Sequence, residues 1–189
     1  MEPAELKNKL RVELRAGRNA LVAGLDAGGR NFAFRRAPTP LQALFGSARV
    51  VAGYVAMDSE ADPLALLRQA HEAGLTLALP YVERRSMPMR FLQWAPGQPL
   101  VAGPFGLSQP DRTSAAEVAP DLFLAPLLGF DRRLHRLGQG AGFYDRAFAR
   151  YPDAVRVGIG WSVQEVDTVP DDPWDVPLHA VLTEREWIA

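Results

Sequence analysis

Short apolar runs alternate with amphipathic segments along this chain, and this alternation limits its possible folds more than any other feature. The runs have the length and composition of strands that are buried on both faces. They lie at Ala48–Ala56, Leu75–Leu79, Met87–Trp94, Asp121–Leu128, Val155–Gly160 and Leu178–Thr183. Helical patterns separate several of them, as in βαβ units. We therefore predict one α/β domain over residues 1–189, with a largely parallel central sheet and helices on both faces, a three-layer α/β/α fold.

The N-terminal segment, about residues 3–25, has the pattern of an amphipathic helix. Its leucines recur at spacings of four and seven and form one apolar stripe: Leu6, Leu10, Leu14, Leu21 and Leu25. Its other faces carry Lys7, Lys9, Arg11, Arg15 and Arg18. From the charge pattern alone we interpret these five cations as a solvated face. Shorter helices are predicted at about 38–45, after Asp62-Pro63 as far as Gly74, and at about 143–150.

Composition excludes several classes of function. Lysine and arginine number 21 against 22 acidic residues, a net charge of −1. The chain therefore has no overall field to attract nucleic acid or an anionic membrane. It contains no cysteine, which excludes disulfides and thiolate metal sites, and its three histidines argue against a histidine-rich site. No stretch approaches the roughly 18 apolar residues of a membrane helix. We expect a soluble, cytoplasmic monomer with no nucleic-acid or membrane partner.

The glycine-rich segment 130–150 is the strongest candidate for a ligand site. A loop joins a predicted strand to a predicted helix, and every second residue in it is a glycine: Gly138, Gly140 and Gly142. Backbone N–H groups in such a loop can approach an anion closely, and the helix N-terminus adds its dipole. Arg132, Arg133 and Arg136 precede the loop and offer positive charge. The pattern lacks the Gly-Lys-Ser/Thr ending of a P-loop and the third glycine of a Rossmann fingerprint, so a flexible turn remains an open alternative.

Three acidic positions are ambiguous by pattern alone. Asp145 lies in the first turn of the helix after the loop, where it either bridges to phosphates through Mg²⁺ or complements the helix dipole. Glu60 lies between a strand and a helix, where α/β sheets place ligand-binding residues, but a solvated glutamate fits equally well. Asp175 belongs to an acidic run between Val169 and Trp187, and such runs are usually solvated.

The segment Arg136–Asp145, RLGQGAGFYD, resembles the signature of the 5-formyltetrahydrofolate cyclo-ligase family, also called 5,10-methenyltetrahydrofolate synthetases. The resemblance extends over nearly the whole chain. Further matches are Lys7, Leu10 and Arg11 in a Lys-x-x-Leu-Arg spacing, Gly53–Met57 with Glu60 and Asp62-Pro63, Leu79–Tyr81, Met89–Phe91, Phe105–Leu107, Pro120–Leu122, Trp174–Leu178 and Thr183-Glu184. The resemblance implies an ATP- and Mg²⁺-dependent enzyme that converts 5-formyltetrahydrofolate to 5,10-methenyltetrahydrofolate and releases ADP and phosphate.

The resemblance also implies roles for individual residues. The ATP-binding set is Lys7, Arg11, Arg136, Leu137, Gly138, Gln139, Gly140, Ala141, Gly142, Phe143 and Tyr144, in which Arg136 and Tyr144 also serve the chemistry. The folate-binding set is Val55, Glu60, Gln139, Gly140, Ala141, Gly142 and Phe143, with Tyr81, Met89 and Trp94 as further pocket residues. The Mg²⁺ ligands are Asp145 and Asp175. A carboxylate such as that of Glu60 can accept two hydrogen bonds from the amino and ring N–H groups of a pterin.

The chain also departs from the family pattern. Gln139 and Ala141 stand where some members have a basic residue, so Arg15, Arg132 or Arg133 would have to supply that charge. Gln109 precedes Pro110 where glutamate is frequent. His179 replaces an aspartate and could hydrogen-bond Asp175 from the same strand face. These departures keep a non-catalytic folate- or nucleotide-binding member of the family as an alternative, beside a sugar-phosphate isomerase or acyl-CoA transferase of similar fold.

Overall fold

The computed structural model describes residues 3–189, except for the side chains of Pro3, Ala27 and Asn31. In chain order, its helices are α1 (Pro3–Gly24), α2 (Ala27–Ala33), α3 (Thr39–Ser47), α4 (Leu64–Glu72) and α5 (Phe143–Arg150). Its strands are β1 (Val50–Ala52), β2 (Thr76–Tyr81), β3 (Arg90–Trp94), β4 (Val101–Ala102), β5 (Ser108–Gln109), β6 (Leu122–Pro126), β7 (Gly129–Phe130), β8 (Arg136–Leu137), β9 (Val155–Ile159), β10 (Ala180–Leu182) and β11 (Trp187–Ile188).

Within residues 3–189 the main sheet has seven strands in the order β11-β10-β9-β6-β1-β2-β3. The five central strands are parallel, and the two edge strands, β3 and β11, are antiparallel to their neighbours. The pairs β4–β5 and β7–β8 form small antiparallel ribbons outside this sheet. The predicted fold class, an α/β fold with a largely parallel sheet, is therefore confirmed.

Both faces of the sheet are covered, because successive strand residues alternate between two apolar clusters. One cluster contains Val51, Leu77, Leu122 and Leu124 with buried residues of α3 and α4. The other contains Ala52, Ala78, Phe123 and Ala125 with Ala147 and Phe148 of α5. The strands are apolar on both faces for this reason, and they appear in the sequence as continuous apolar runs.

A crevice forms where the strand order reverses around β1. The chain moves from β1 to β2 on one side and later returns to β6 on the other side. In open α/β sheets, ligands bind outside the carboxyl ends of the strands at such a switch point. Helix α1 borders this region, since its Leu10 and Leu14 pack with Leu128 and Leu137.

The structure contains elements that the sequence did not predict: α2, the two ribbons and β11. The strands of the ribbons and β11 are two residues long, too short to leave a periodic pattern. Helix α2 has glycines at 28 and 29, and it is closed at its N-terminus by the Asp26 side chain, which accepts from the Gly29 N–H at 2.6 Å. No helix within residues 3–189 is long and apolar enough to span a membrane.

Candidate active site

A cavity of about 580 Å³ lies beyond the carboxyl ends of β1, β2 and β6. Its walls contain nearly all the predicted site residues, and also residues that the sequence analysis did not select. The predicted ones are Lys7, Arg11, Val55, Glu60, Met89, Arg136–Asp145 and Asp175. The others include Tyr54, Met57, Val82, Arg85, Phe105, Asp172 and Trp174. A second cavity, of about 770 Å³, lies at the amino ends of β1 and β2 and contains none of the predicted residues.

Helix α1 supplies a basic stripe, Lys7, Arg11, Arg15 and Arg18, which faces the cavity and its glycine loop. Lys7 Nζ binds Asp172 Oδ2 at 2.6 Å and Asp175 Oδ2 at 2.7 Å. The Arg11 Nε–H donates to the Gly138 carbonyl at 2.9 Å, and Arg15 Nη2 donates to Gln139 Oε1 at 2.6 Å. Arg18 is buried. The interpretation as a solvated face is therefore wrong for Lys7, Arg11 and Arg18, whereas Lys9 and Arg15 are exposed as predicted.

The glycine loop takes a backbone path that requires glycine at two positions. Gly140 has φ 96°, and Gly142 has φ 65° in the left-handed region directly before α5. Gly138 is required for a different reason, since a Cβ there would lie 2.7 Å from Arg136 Nη1. The loop thus brings backbone against the cavity, and the first turn of α5 presents N–H groups that have no partner within the helix.

Arg136 lies almost wholly inside the protein, with 5 % of its side chain exposed. Its Nη2 donates to Asp145 Oδ1 at 2.8 Å, and its guanidinium lies 5.5 Å from the centre of the Tyr144 ring. The Arg136 Nε and the Tyr144 hydroxyl are buried and have no hydrogen-bond partner among the described residues. Burial also raises the pKa of Tyr144. Both groups are donors in the cavity wall, ready for an acceptor on a ligand.

The acidic side chains of the cavity are paired with its cations. Burial lowers the pKa of Lys7, but the hydrogen bonds and charges of Asp172 and Asp175 outweigh it, so the net shift is upward. Among residues 3–189, Asp145, Asp172 and Asp175 each use one carboxylate oxygen in hydrogen bonds and leave the other unpaired. Unpaired carboxylate oxygens beside a phosphate site suit a hard cation such as Mg²⁺.

A preformed metal cage is absent from the described part of the chain, where no group of three or more His, Cys, Asp or Glu side chains is arranged to hold a metal ion. Mg²⁺ usually keeps several waters and binds through one or two carboxylates together with phosphates, so it does not need such a cage. The donor set around Asp145 and Asp175 fits that mode.

Glu60 lies near the amide nitrogen of the loop residue Gln139, whose amide oxygen binds Arg15. The Glu60 side chain is 8 % exposed. Its Oε2 accepts the Met57 N–H at 3.2 Å, and its Oε1 lies 3.5 Å from Gln139 Nε2. Burial raises the pKa of Glu60. Of the three further pocket residues, Met89 lines the cavity, whereas Trp94 belongs to the core and donates to the Gln98 carbonyl. Tyr81 does not line the cavity.

Arg132 and Arg133, which the sequence analysis placed near the phosphate loop, turn away from it. Arg132 pairs with Glu165 and Glu186, and Arg133 pairs with Asp131. Both lie in the turn that joins β7 to β8, where they pair with acidic residues outside the cavity, whereas Arg136 begins β8. Of the three arginines considered as replacements for a basic loop residue, Arg15 is the one that contacts the loop.

His179 also lies elsewhere than expected. Its Nδ1 accepts the Arg156 N–H at 3.0 Å, and its Nε2 lies 3.3 Å from Arg156 Nη2. It does not contact Asp175, because β10 begins at Ala180 and the intervening residues are not a strand. His179 is not among the residues that line the cavity.

The spacing of the basic residues of α1 is a sequence signal for part of the site. Residues 7, 11, 15 and 18 are separated by four, four and three positions, so they share one helix face beside the leucine stripe. Asp172 lies in the same acidic run as Asp175. Phe105 and Trp174 lie in segments that match the family, although the sequence assigned them no role, and Arg85 carries no such signal.

Comparisons with known proteins identify the family of this chain. The model of the 5-formyltetrahydrofolate cyclo-ligase family matches residues 3–184. A 5-formyltetrahydrofolate cyclo-ligase of Escherichia coli strain K12 is 32% identical over 150 residues, which cover 74% of this chain and 82% of the relative. One of Mycolicibacterium smegmatis is 35% identical over 150 residues, covering 75% and 77%.

Solved structures show the same relationship. The NMR structure of Aquifex aeolicus 5,10-methenyltetrahydrofolate synthetase superposes with a TM-score of 0.78 at 28% identity, covering 97% of this chain and 92% of that chain. A Mycoplasma pneumoniae 5,10-methenyltetrahydrofolate synthetase, at 21% identity and a TM-score of 0.68, shares the fold. The signature at 136–145, the cavity around it and the match over residues 3–184 together establish that this chain belongs to the 5-formyltetrahydrofolate cyclo-ligase family of enzymes.

Proposed function

We propose that the chain converts 5-formyltetrahydrofolate to 5,10-methenyltetrahydrofolate with consumption of ATP, using Mg²⁺. One observation carries the proposal: a single cavity joins a cationic wall, made by α1 and the glycine loop, to a buried carboxylate, Glu60. The cationic wall suits a triphosphate, and the carboxylate suits the paired N–H donors of a pterin. Gln139 lies between the two parts and touches both, through Arg15 and Glu60.

The reaction proceeds in two steps that need no protein nucleophile. The formyl oxygen attacks the γ-phosphorus of ATP, the bond from that phosphorus to the bridging oxygen breaks, and ADP leaves. N10 then donates its electron pair to the activated formyl carbon and loses its proton to solvent. The carbon–oxygen bond breaks, and inorganic phosphate departs as the ring closes. A chain without cysteine loses nothing by this route.

Phosphoryl transfer is mostly positioning and charge neutralisation, and the residues of the cationic wall suit that task. Lys7, Arg11 and Arg136 would hold phosphate oxygens, and residues 137–144 would follow the nucleotide with their backbone. The buried Tyr144 hydroxyl, whose raised pKa keeps it protonated, would donate to a ligand oxygen beside Arg136. Asp145 and Asp175 would hold Mg²⁺, which supplies positive charge to the phosphates when bound.

The folate would occupy the opposite side of the cavity, toward Val55 and Glu60. The loop residues 139–143 line the same cavity, and Gln139 contacts both Glu60 and Arg15 of α1, so these residues would contact both substrates. Such an arrangement would place the formyl group next to the γ-phosphate, beside the loop. Positioning of this kind lowers the barrier of a two-substrate reaction.

A direct assay tests the proposal. Purified protein is mixed with 5-formyltetrahydrofolate and Mg-ATP, and formation of the methenyl product is followed by its near-ultraviolet absorbance while ADP is quantified. We expect one ADP per methenyl product and no product when ATP is omitted. ATP-independent product, or nucleotide and folate binding without turnover, would refute the proposal; the second result would favour a non-catalytic member of the family.

A further inference from the structure

Arg18 is a buried cation behind the wall of the cavity rather than in it. Its side chain is 4 % exposed, and its Nε donates to Ser59 Oγ at 2.9 Å. Ser59 is fixed in turn, since its hydroxyl donates to Asn19 Oδ1 and its carbonyl accepts the Trp161 indole N–H. The guanidinium is thus held in place by a residue next to Glu60, and it cannot turn toward solvent.

The free end of this guanidinium points toward Glu60. Arg18 Nη1 lies 3.8 Å from Glu60 Oε1, within ion-pair range but beyond a hydrogen bond, and it has no hydrogen-bond partner among residues 3–189. A buried donor without a hydrogen-bond partner destabilises the fold. The charge of the nearby buried carboxylate of Glu60 offsets part of that loss.

Several groups act on the charge of Glu60. Burial favours its neutral form, and Asp58 on the same loop adds to that effect. The Met57 N–H, the Arg18 charge and the Gln139 amide favour the ionised form. The phenols of Tyr54 and Tyr144 also face the carboxylate, and both stay neutral because burial raises their pKa values. Arg15 acts from further away, through Gln139. Arg18 is therefore the nearest positive charge on the carboxylate.

We propose that Arg18 is a positioning residue for folate recognition: it keeps Glu60 ionised and oriented, so that both carboxylate oxygens can accept from the pterin. This proposal rests on the proposed function and deepens it. An ionised carboxylate is an acceptor only, whereas a protonated one turns a donor toward the N–H groups of the ligand. Without the cation, only the Met57 N–H and the Gln139 amide would oppose burial and Asp58, and the site would lose its acceptor pair at a higher pH.

A purely structural role for Arg18 makes a different prediction. If Arg18 only held Ser59 in place, its replacement would lower stability or folate affinity equally at every pH. If it acts through the charge of Glu60, the loss must depend on pH and must be absent when a cation is retained at position 18. The comparison of a neutral with a charged replacement separates the two roles.

The test measures binding of 5-formyltetrahydrofolate by calorimetry, without ATP, as a function of pH. Arg18→Gln is neutral and keeps an amide for Ser59, while Arg18→Lys keeps the charge. Removing the cation raises the pKa of Glu60, and affinity is lost as pH falls through that value. The acid limb of Arg18→Gln should therefore move upward by roughly one to three pH units. Arg18→Lys should stay close to wild type.

The controls isolate the charge effect from folding. Arg156→Gln removes another buried arginine, outside the cavity, and should leave the pH profile unchanged. Glu60→Gln should abolish the acid limb. Arg18→Met is the second neutral variant should Arg18→Gln fail to fold. Identical profiles for the neutral and lysine variants, or an acid limb that persists in Glu60→Gln, would overturn the inference. Failure of the wild type to bind folate would instead refute the proposed function.

Discussion

Replacement of Arg136 by methionine tests the phosphate role of the loop most directly. Methionine keeps an apolar stem against Tyr144 and Phe148, where the guanidinium now stacks, but removes the charge. A hydrogen bond to a charged group contributes about 1.5–3 kcal/mol, and each 1.4 kcal/mol is tenfold in affinity. We expect ATP affinity to fall by about tenfold to a hundredfold. Folate affinity should change little, because the Arg136 guanidinium pairs with Asp145 and does not contact Glu60.

Calorimetric titration with ATP and, separately, with 5-formyltetrahydrofolate measures the two effects. Arg150→Met is the control, since it removes an exposed arginine from the C-terminal end of α5, outside the cavity, where it pairs with Glu117. Circular dichroism verifies that both variants fold. Unchanged ATP affinity in folded Arg136→Met, or an equal loss for both ligands, would refute the assignment of this loop to phosphate.

Three further outcomes follow from the same structure. Asp145→Asn and Asp175→Asn should each raise the Mg²⁺ concentration needed for half-maximal turnover, and the double variant should be little worse than either single variant; a wild-type requirement in only one of them would refute a shared ion. Gly53→Ala should cost about 1–3 kcal/mol in chemical unfolding, because its Cβ would lie 2.5 Å from a methyl of buried Leu67; unchanged stability would contradict that packing. Arg132→Gln should leave ATP affinity unchanged in calorimetry, and any clear loss would return this arginine to the phosphate site.

The strands of the sheet were predictable because burial on both faces leaves a continuous apolar run. The predicted run at 155–160 corresponds to β9 at 155–159, and that at 121–128 to β6 at 122–126. The order of the strands was not predictable, since it depends on which side of β1 the chain returns to. Short elements such as β11 were missed because two residues carry no period.

For the site, the signature predicted which loop matters but not what surrounds it. Glu60 and Gly140 come from separate segments, and the cavity of the structure brings them together. The charge pattern alone misjudged Lys7, Arg11 and Arg18 of α1, because a charged helix face is usually solvated, whereas the family resemblance assigned Lys7 and Arg11 to the ATP site. Arg132 was misjudged for the opposite reason, because closeness in sequence to the loop does not fix the direction of a side chain.

The ion pairs of the cavity explain how so many charges are held together without ligand. Lys7 pairs with Asp175, and Arg136 with Asp145, so two of the three proposed phosphate contacts are each matched by a proposed metal ligand. Both pairs are largely buried, because Lys7 and Arg136 are only 12% and 5% exposed, so the loss of one partner leaves the other charge desolvated and uncompensated. On the proposed function, Mg-ATP brings negative charge for both cations and positive charge for both carboxylates. Each charge then exchanges its partner within the protein for one on the ligand, and none is left buried alone.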